Sequence, residues 1–241
     1  MTRAEAIHAL DTRWYPGVPD NWDDELFRTI ILRHLRPDSI VLDVGAGAGI
    51  VKQMNFRGVA RRVCGIDLDE RVLQNPYLDE AAVGTADALP HSSASFDLVF
   101  ADNVLEHLPT PQRTFAEISR VLKPNGIFLG KTPNKWHYMP LIARCTPLRF
   151  HKFYNRLRGR ASIDTFPTTY LANSRRALKK LAQNAGLEVI EIRFYESRPE
   201  YLRFNAATYT LGHYWERLVN CCAALEDLRI LIVVHLRKPS S

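Results

Sequence analysis

No stretch of the chain approaches the roughly 18–20 uninterrupted apolar residues that span a bilayer. The opening "MTRAEAIHALDTRW" also lacks the apolar run of a secretory leader. Cysteine is scarce. Cys64, Cys145, Cys221 and Cys222 form no C-x-x-C pair and two are adjacent, so neither a zinc site nor a disulfide framework is suggested and no metal is expected. These absences set the expectation of a cytoplasmic protein. There is no internal repeat or low-complexity tract. With 241 residues the chain has room for one α/β core with embellishments and is short for two independent enzymatic domains. Acid is missing from one region above all. From Lys131 to Lys180 there are 12 Lys or Arg against the single Asp164, so this stretch carries +11 and the remainder of the +6 chain sums to −5. A local basic excess marks an acidic substrate, a nucleic acid or a membrane surface, or is a plainly solvated face.

What is present is an alternation. "SIVLDVG", "RRVCGID", "AAVG", "SFDLVFADN" and "GIFLGKT" are short apolar runs ending in Gly, Asp or Asn, as buried parallel strands do. Helical spacing is expected in "GIVKQMNF", in "DERVLQNPYL" and in "TPQRTFAEISRVLKPNG", where Thr110 would cap, Pro111 would open the first turn and Gly126 would lie beyond the end. Residues 133–170 break the pattern with Pro, aromatics and Arg. The pattern recovers in the helix "SRRALKKLAQNAG" and the strand "LEVIEIRFY", and a second irregular stretch, about 196–225, precedes the strand "RILIVVHLRKP". The organisation expected is an N-terminal helical cover (1–37), a cofactor-binding core (38–132), a basic aromatic lid (133–170) and a completion of the core (171–241). Such alternation argues for a doubly wound parallel sheet whose ligands sit at the carboxyl ends of the strands.

The glycines stand at such an end. In "VLDVGAGAGI", Gly45, Gly47 and Gly49 allow a sharp turn from strand into helix, a close approach of ligand to backbone, and helix N-terminal amides aimed at that ligand. A dinucleotide fingerprint runs G-x-G-x-x-G, and here Ile50 occupies the place of its third glycine, while Asp43 stands two residues ahead of the first.

With "LDVGAGAG", "GIDLD", "GTADALP", "FDLVFADNVLEHL" and "VLKPNGIFL" in this order, the chain resembles the class I S-adenosylmethionine-dependent methyltransferases over about residues 38–132. The resemblance implies a Rossmann-like seven-stranded sheet, helices on both faces, the last strand antiparallel, with an inserted lid. It implies that Asp67 holds the ribose hydroxyls beside Leu68, and that Asp87 contacts the adenine amino group. Ala88 and Leu89 would supply backbone and an apolar wall. Asp43, with Gly45, Ala46 and Gly47, would reach the ammonium of S-adenosylmethionine or tie down the loop, and Ala101, Asp102 and Asn103 would lie near its methionine portion. Taken singly, Asp67 and Asp87 also read as turn acids, and Asp69 as a helix cap.

Methyl transfer from a sulfonium needs chiefly alignment, worth roughly 7–11 kcal/mol, and a general base where the acceptor loses a proton, worth about 10²–10⁴-fold. His107 in "NVLEHL" is the first candidate base, a structural histidine being the alternative, and Glu106 reads as a helix-face or supporting acid. His137, Tyr138, His151 and Tyr154 are further candidates. Arg144, Arg149, Lys152, Arg156, Arg158 and Arg160 offer forks for a carboxylate or phosphate. Trp14 and Tyr15 would cover the cofactor and acceptor, or would anchor the N-terminus. Glu200 and Tyr201 in "RPEYLRF" would close the pocket's far side. The expected activity is O-methylation of a small, acidic acceptor, ahead of N-methylation. The alternatives are an NAD-dependent oxidoreductase or sugar-nucleotide enzyme, and a non-catalytic cofactor- or RNA-binding protein of the same fold.

Overall fold

The β-branched run Ile40–Val44 forms the central strand β1. Val41, Leu42 and Val44 are buried, as expected of a strand covered on both faces. The computed structural model describes residues 2–145 and 167–240. Around β1 stand β2 (Arg62–Asp67), β3 (Glu80–Val83), β4 (Phe96–Asp102), β5 (Leu122–Pro133), β6 (Glu188–Tyr195) and β7 (Leu231–Arg237). Their order in the sheet is β3-β2-β1-β4-β5-β7-β6. Neighbours from β3 to β5 are parallel, and the last strand, β7, is antiparallel between β5 and β6. An all-parallel dinucleotide fold of order 3-2-1-4-5-6 has no such strand.

The α-helices among the described residues are α1 (Arg3–Trp14), α2 (Trp22–Leu32), α3 (Pro111–Val121), α4 (Tyr138–Cys145), α5 (Arg175–Asn184) and α6 (Ala206–Cys221). Two rings show how the sheet is covered. Phe100 of β4 pairs with Leu129 of β5, so the adjacent Phe128 points to the opposite face. Phe100 meets Phe27 of α2 edge to face at 6.4 Å, whereas Phe128 meets Phe115 of α3 at 5.8 Å. The two helices therefore seal opposite faces with aromatic pairs.

Several expectations give way. "GIVKQMNF" and "DERVLQNPYL" hold only 3₁₀ turns, Lys52–Met54 and Glu70–Gln74. In the second, Pro76 bars Asn75 from the helical region, and Asn75 sits at ψ 113°. Asp69 does cap it, accepting from Arg71 N. Thr110 precedes α3 without capping it through its side chain, whereas Gly126 does lie beyond the helix's end, within β5 and after Asn125 at φ 64°. The stretch 196–225, expected to be irregular, contains α6, a helix of 16 residues capped by Asn205.

The chain forms two compact units. One draws on the described residues of Met1–Trp22, Asn134–Pro167 and Phe194–Leu231, the other on Asp23–Pro133, Thr168–Arg193 and Ile232–Ser241, which contains most of the sheet. Among the described residues no helix is long and apolar enough to cross a membrane.

Candidate active site

The amides of Gly45 and Ala46 both donate to Ile66 O (2.8 and 3.1 Å), which pins the glycine loop to β2. Two of the glycines are bare for the protein's own sake. A Cβ on Gly45 would strike Val104, and one on Gly49 would strike Asn75 and Pro76. Gly47 alone is open: at φ 54°, its nearest neighbour to a Cβ would be Asp67 Oδ2, 4.0 Å away. Of the three glycines expected to admit a ligand, only Gly47 has that space beside it. The helix expected behind the loop is a single 3₁₀ turn, and the amides of Gly45, Ala46 and Gly47 are committed to Ile66 O and Asp67.

Asp67, at the end of β2, is locked by two amides, Gly47 N on Oδ2 and Asp69 N on Oδ1, each at 2.8 Å. A carboxylate accepts about four hydrogen bonds, so each oxygen retains capacity for a hydroxyl. Beside it Leu68 is 62% exposed. Asn75, which no motif singles out, is buried and donates to the carbonyls of Ala46 (3.0 Å) and Gly47 (3.2 Å), holding the loop from below. Its signal was its place before Pro76, and that signal reads only as a turn.

Asp43 is buried, and its carboxyl has no hydrogen-bond partner among the described residues. Burial, with Asp102 and Asp67 nearby, holds it well above the usual carboxylate range. Asp102, cross-strand from Lys131, is pushed up to about 6 by burial, partly offset by the Lys131 ammonium. Ala101 is buried, and Asn103 adopts φ 53° and donates to Asp102 Oδ1 (3.0 Å).

Asp87 accepts the Thr110 hydroxyl at 2.6 Å, the bond that diverts Thr110 from capping, and that bond with one from Thr85 lowers its pKa. Glu117 and Arg120 of α3 clamp the following loop. Glu117 accepts Leu89 N (2.8 Å), while Arg120 donates to Leu89 O (3.0 Å) and His91 O (2.6 Å). The amides expected to serve adenine are therefore committed, Ala88 N to Thr85 O and Leu89 N to Glu117. This leaves the Asp87 carboxylate, exposed Ala88 and the buried Leu89 side chain.

His107 ends a 3₁₀ turn (Leu105–His107) after β4 and is half-buried. Its neighbour Glu106 is buried, accepts Thr132 Oγ1 at 2.8 Å, and has its pKa raised by burial. Asn173 Nδ2 in turn donates to Thr132 Oγ1 (2.6 Å) and Pro133 O (2.9 Å). Glu106 thus ends a buried polar chain.

Residues 42–130 match the family model for a methyltransferase domain. Those residues carry a methyltransferase domain of the kind found in S-adenosylmethionine-dependent enzymes. A Mycolicibacterium smegmatis protein named "Probable S-adenosylmethionine-dependent methyltransferase" is 38% identical over 117 residues, covering 46% of this chain and 44% of that one. A ubiquinone biosynthesis O-methyltransferase of Neisseria meningitidis is 34% identical over 147 residues, covering 50% and 60%. The chain spans about half the length of the curated relatives it matches. Among solved structures, the [4+2]-cyclase SpnF aligns with a TM-score of 0.60 at 18% identity, covering 95% of this chain and 87% of that one, which shows the fold alone.

The methyltransferase domain's residues fit a nucleoside carrying a cationic tail. An open glycine, a locked carboxylate with spare acceptor capacity and an exposed Leu68 suit a ribose and base. Two elevated carboxyls, Asp43 and Asp102, suit a positive charge, which would favour their ionised forms.

The acceptor candidates lie elsewhere. Trp14, Tyr15, His137 and Tyr138 belong to the other unit. Trp14 stacks on His213 at 4.3 Å, and Tyr15, buried, shares its hydroxyl between His213 Nδ1 (3.0 Å) and Glu216 (3.3 Å). Tyr15 is thus held within its unit by these contacts and by packing against Tyr209. His137 is buried. Its Nδ1 accepts Met139 N (3.3 Å), and its Nε2 lies 3.4 Å from Glu196 Oε2. Tyr138 packs perpendicular to Trp215, with ring centroids 5.5 Å apart. Glu200, expected at a pocket's rim, is bound to Arg198 and Arg203. The side chain of Arg144, and the whole of Arg149, His151, Lys152, Tyr154, Arg156, Arg158 and Arg160, lie outside what the structure describes.

Proposed function

We propose that the chain binds S-adenosylmethionine along the Gly45–Gly47 loop and transfers its methyl group to an oxygen of a small acidic acceptor. The observation that carries this reading is the open Gly47 beside an Asp67 carboxylate locked by its amide. Asp67 accepts from the ribose hydroxyls, a charge-assisted pairing. Leu68 and Leu89 flank the base, with Asp87 on its amino group. Asp43 and Asp102 hold the ammonium. When bound, the cofactor supplies an electrophilic methyl on a positively charged sulfur. The protein's part is alignment and the removal of the acceptor's proton, which we assign to a ring nitrogen of His107. Acidity of the acceptor is supported by the +11 charge of residues 131–180, and oxygen as the methylated atom by the ubiquinone O-methyltransferase relative.

The test is incubation with labelled S-adenosylmethionine and source extract, followed by mass spectrometry. A small acid gaining one methylene unit is the expected result, and no labelled product in any fraction would overturn the reading. His107→Ala should depress turnover while leaving cofactor affinity within about twofold, since a base contributes to the chemical step and not to cofactor contacts. Full turnover across pH would remove His107 as the base.

A further inference from the structure

Lys131 carries no role in the sequence motifs, yet it is fully buried at the carboxyl end of β5. Its ammonium has three donors and meets three carboxylates: Asp23 Oδ2 (3.0 Å) and Asp24 from the first turn of α2, and Asp102 Oδ1 (2.8 Å) from β4. The ring of Phe27 lies 5.8 Å away. Asp102 Oδ1 also takes Asn103 Nδ2, and among the described residues Oδ2 has no partner. We infer that Lys131 is a positioning residue for the cofactor: it holds the Asp102 carboxylate ionised and oriented, leaving its second oxygen for the ammonium of the methionine portion. This rests on the cofactor reading above.

The charged groups around Asp102 are Lys131 from β5, Asp23 and Asp24 from α2, Asp43 from β1, and Glu106 from the turn after β4. Lys131 favours the Asp102 anion, and the four acids oppose it. The neighbours therefore push in opposite directions, which separates charge-setting from a plain tether between α2 and the sheet. A tether would be weakened by removing either kind of neighbour.

The experiment is a carboxyl-carbon NMR titration of Asp102 in the ligand-free protein, paired with S-adenosylhomocysteine titrations across the same pH range. In the unaltered protein Asp102 should titrate near about 6, with affinity falling as pH drops through that point. Lys131→Met should move both midpoints up and Asp24→Asn should move both down. A shift of about one unit in Lys131→Met would weaken binding about twofold at neutrality and about tenfold at about pH 5, below both midpoints. Asp24→Asn keeps the side chain's shape, so the test survives if Lys131→Met does not fold. Midpoints unmoved in Asp24→Asn, with the product still bound, would overturn the positioning role. An unaltered protein that binds no S-adenosylhomocysteine at any pH would overturn the cofactor reading and with it this ligand, and the NMR titration tells that failure from the first.

Discussion

Asp67 concentrates two functions in one carboxylate, since it orders the glycine loop through Gly47 N and offers its remaining lone pairs outward. Asp67→Ala should therefore weaken S-adenosylhomocysteine binding by on the order of 1.5–3 kcal/mol, read by calorimetry, and an unchanged dissociation constant would contradict the ribose role. Histidine sets a pH dependence of stability. Burial and the neighbouring His34 push His235 down to about 4 from 6.5. A base depressed in the fold adds stability that is present above pH 6.5 and is lost as pH falls toward about 4. The raised Asp102 has the opposite sign, with stability lost as pH rises from 3.8 through about 6. The two are separated by mutation. Because His235 is only partly buried, His235→Gln should shrink the loss between neutrality and about pH 4 by about 1–2 kcal/mol in urea unfolding. At this scale Asp67 could be singled out as an acid closing a strand, whereas Asp43, within β1, and Asp87, in the loop after β3, were candidates mainly through the resemblance. Lys131, Thr132 and Asn173 were not legible: a lysine or threonine closing a strand looks like ordinary punctuation, and its partners lie at sequence distances no local motif encodes.

Local rules read the strands well, since apolar runs of that length bounded by Gly and Asp have few other uses, as β1 and β4 show. They overstated the segments after β1 and β2. Helical spacing was there, but Pro76 cut the second segment short. The glycine loop is braced by Asn75, so Asn75→Ala should cost about 1–3 kcal/mol in chemical denaturation by leaving the Ala46 and Gly47 carbonyls without their donor. Unchanged stability would show that the loop holds itself. The α6 helix escaped the reading for a different reason. Its buried positions are Tyr209, Gly212, Glu216 and Val219, a helical spacing filled by residues that do not look like a core. Gly212 is there because a Cβ would come within 2.7 Å of Pro199. Gly212→Ala should thus destabilise by about 1–3 kcal/mol, although alanine favours helices, and a stabilised variant in thermal melts would refute that packing.

Across the molecule, the antiparallel β7 between β5 and β6 and the methyltransferase match over residues 42–130 remove the ground for the oxidoreductase alternative. Seven strands with the last one antiparallel were implied by the resemblance, and their order was not. The grouping of Met1–Trp22, Asn134–Pro167 and Phe194–Leu231 into one unit was not, because it depends on contacts such as that between Arg203 and Asp11, nearly the whole chain apart. The acceptor candidates fall in that unit, and the cofactor candidates in the other. The central claim is the cofactor. Its most direct test is calorimetric titration of the full chain with S-adenosylhomocysteine, with NAD as the control. Saturable binding of the homocysteine nucleoside with no heat from NAD is the expected result. Binding of NAD, or silence toward S-adenosylhomocysteine, would contradict it.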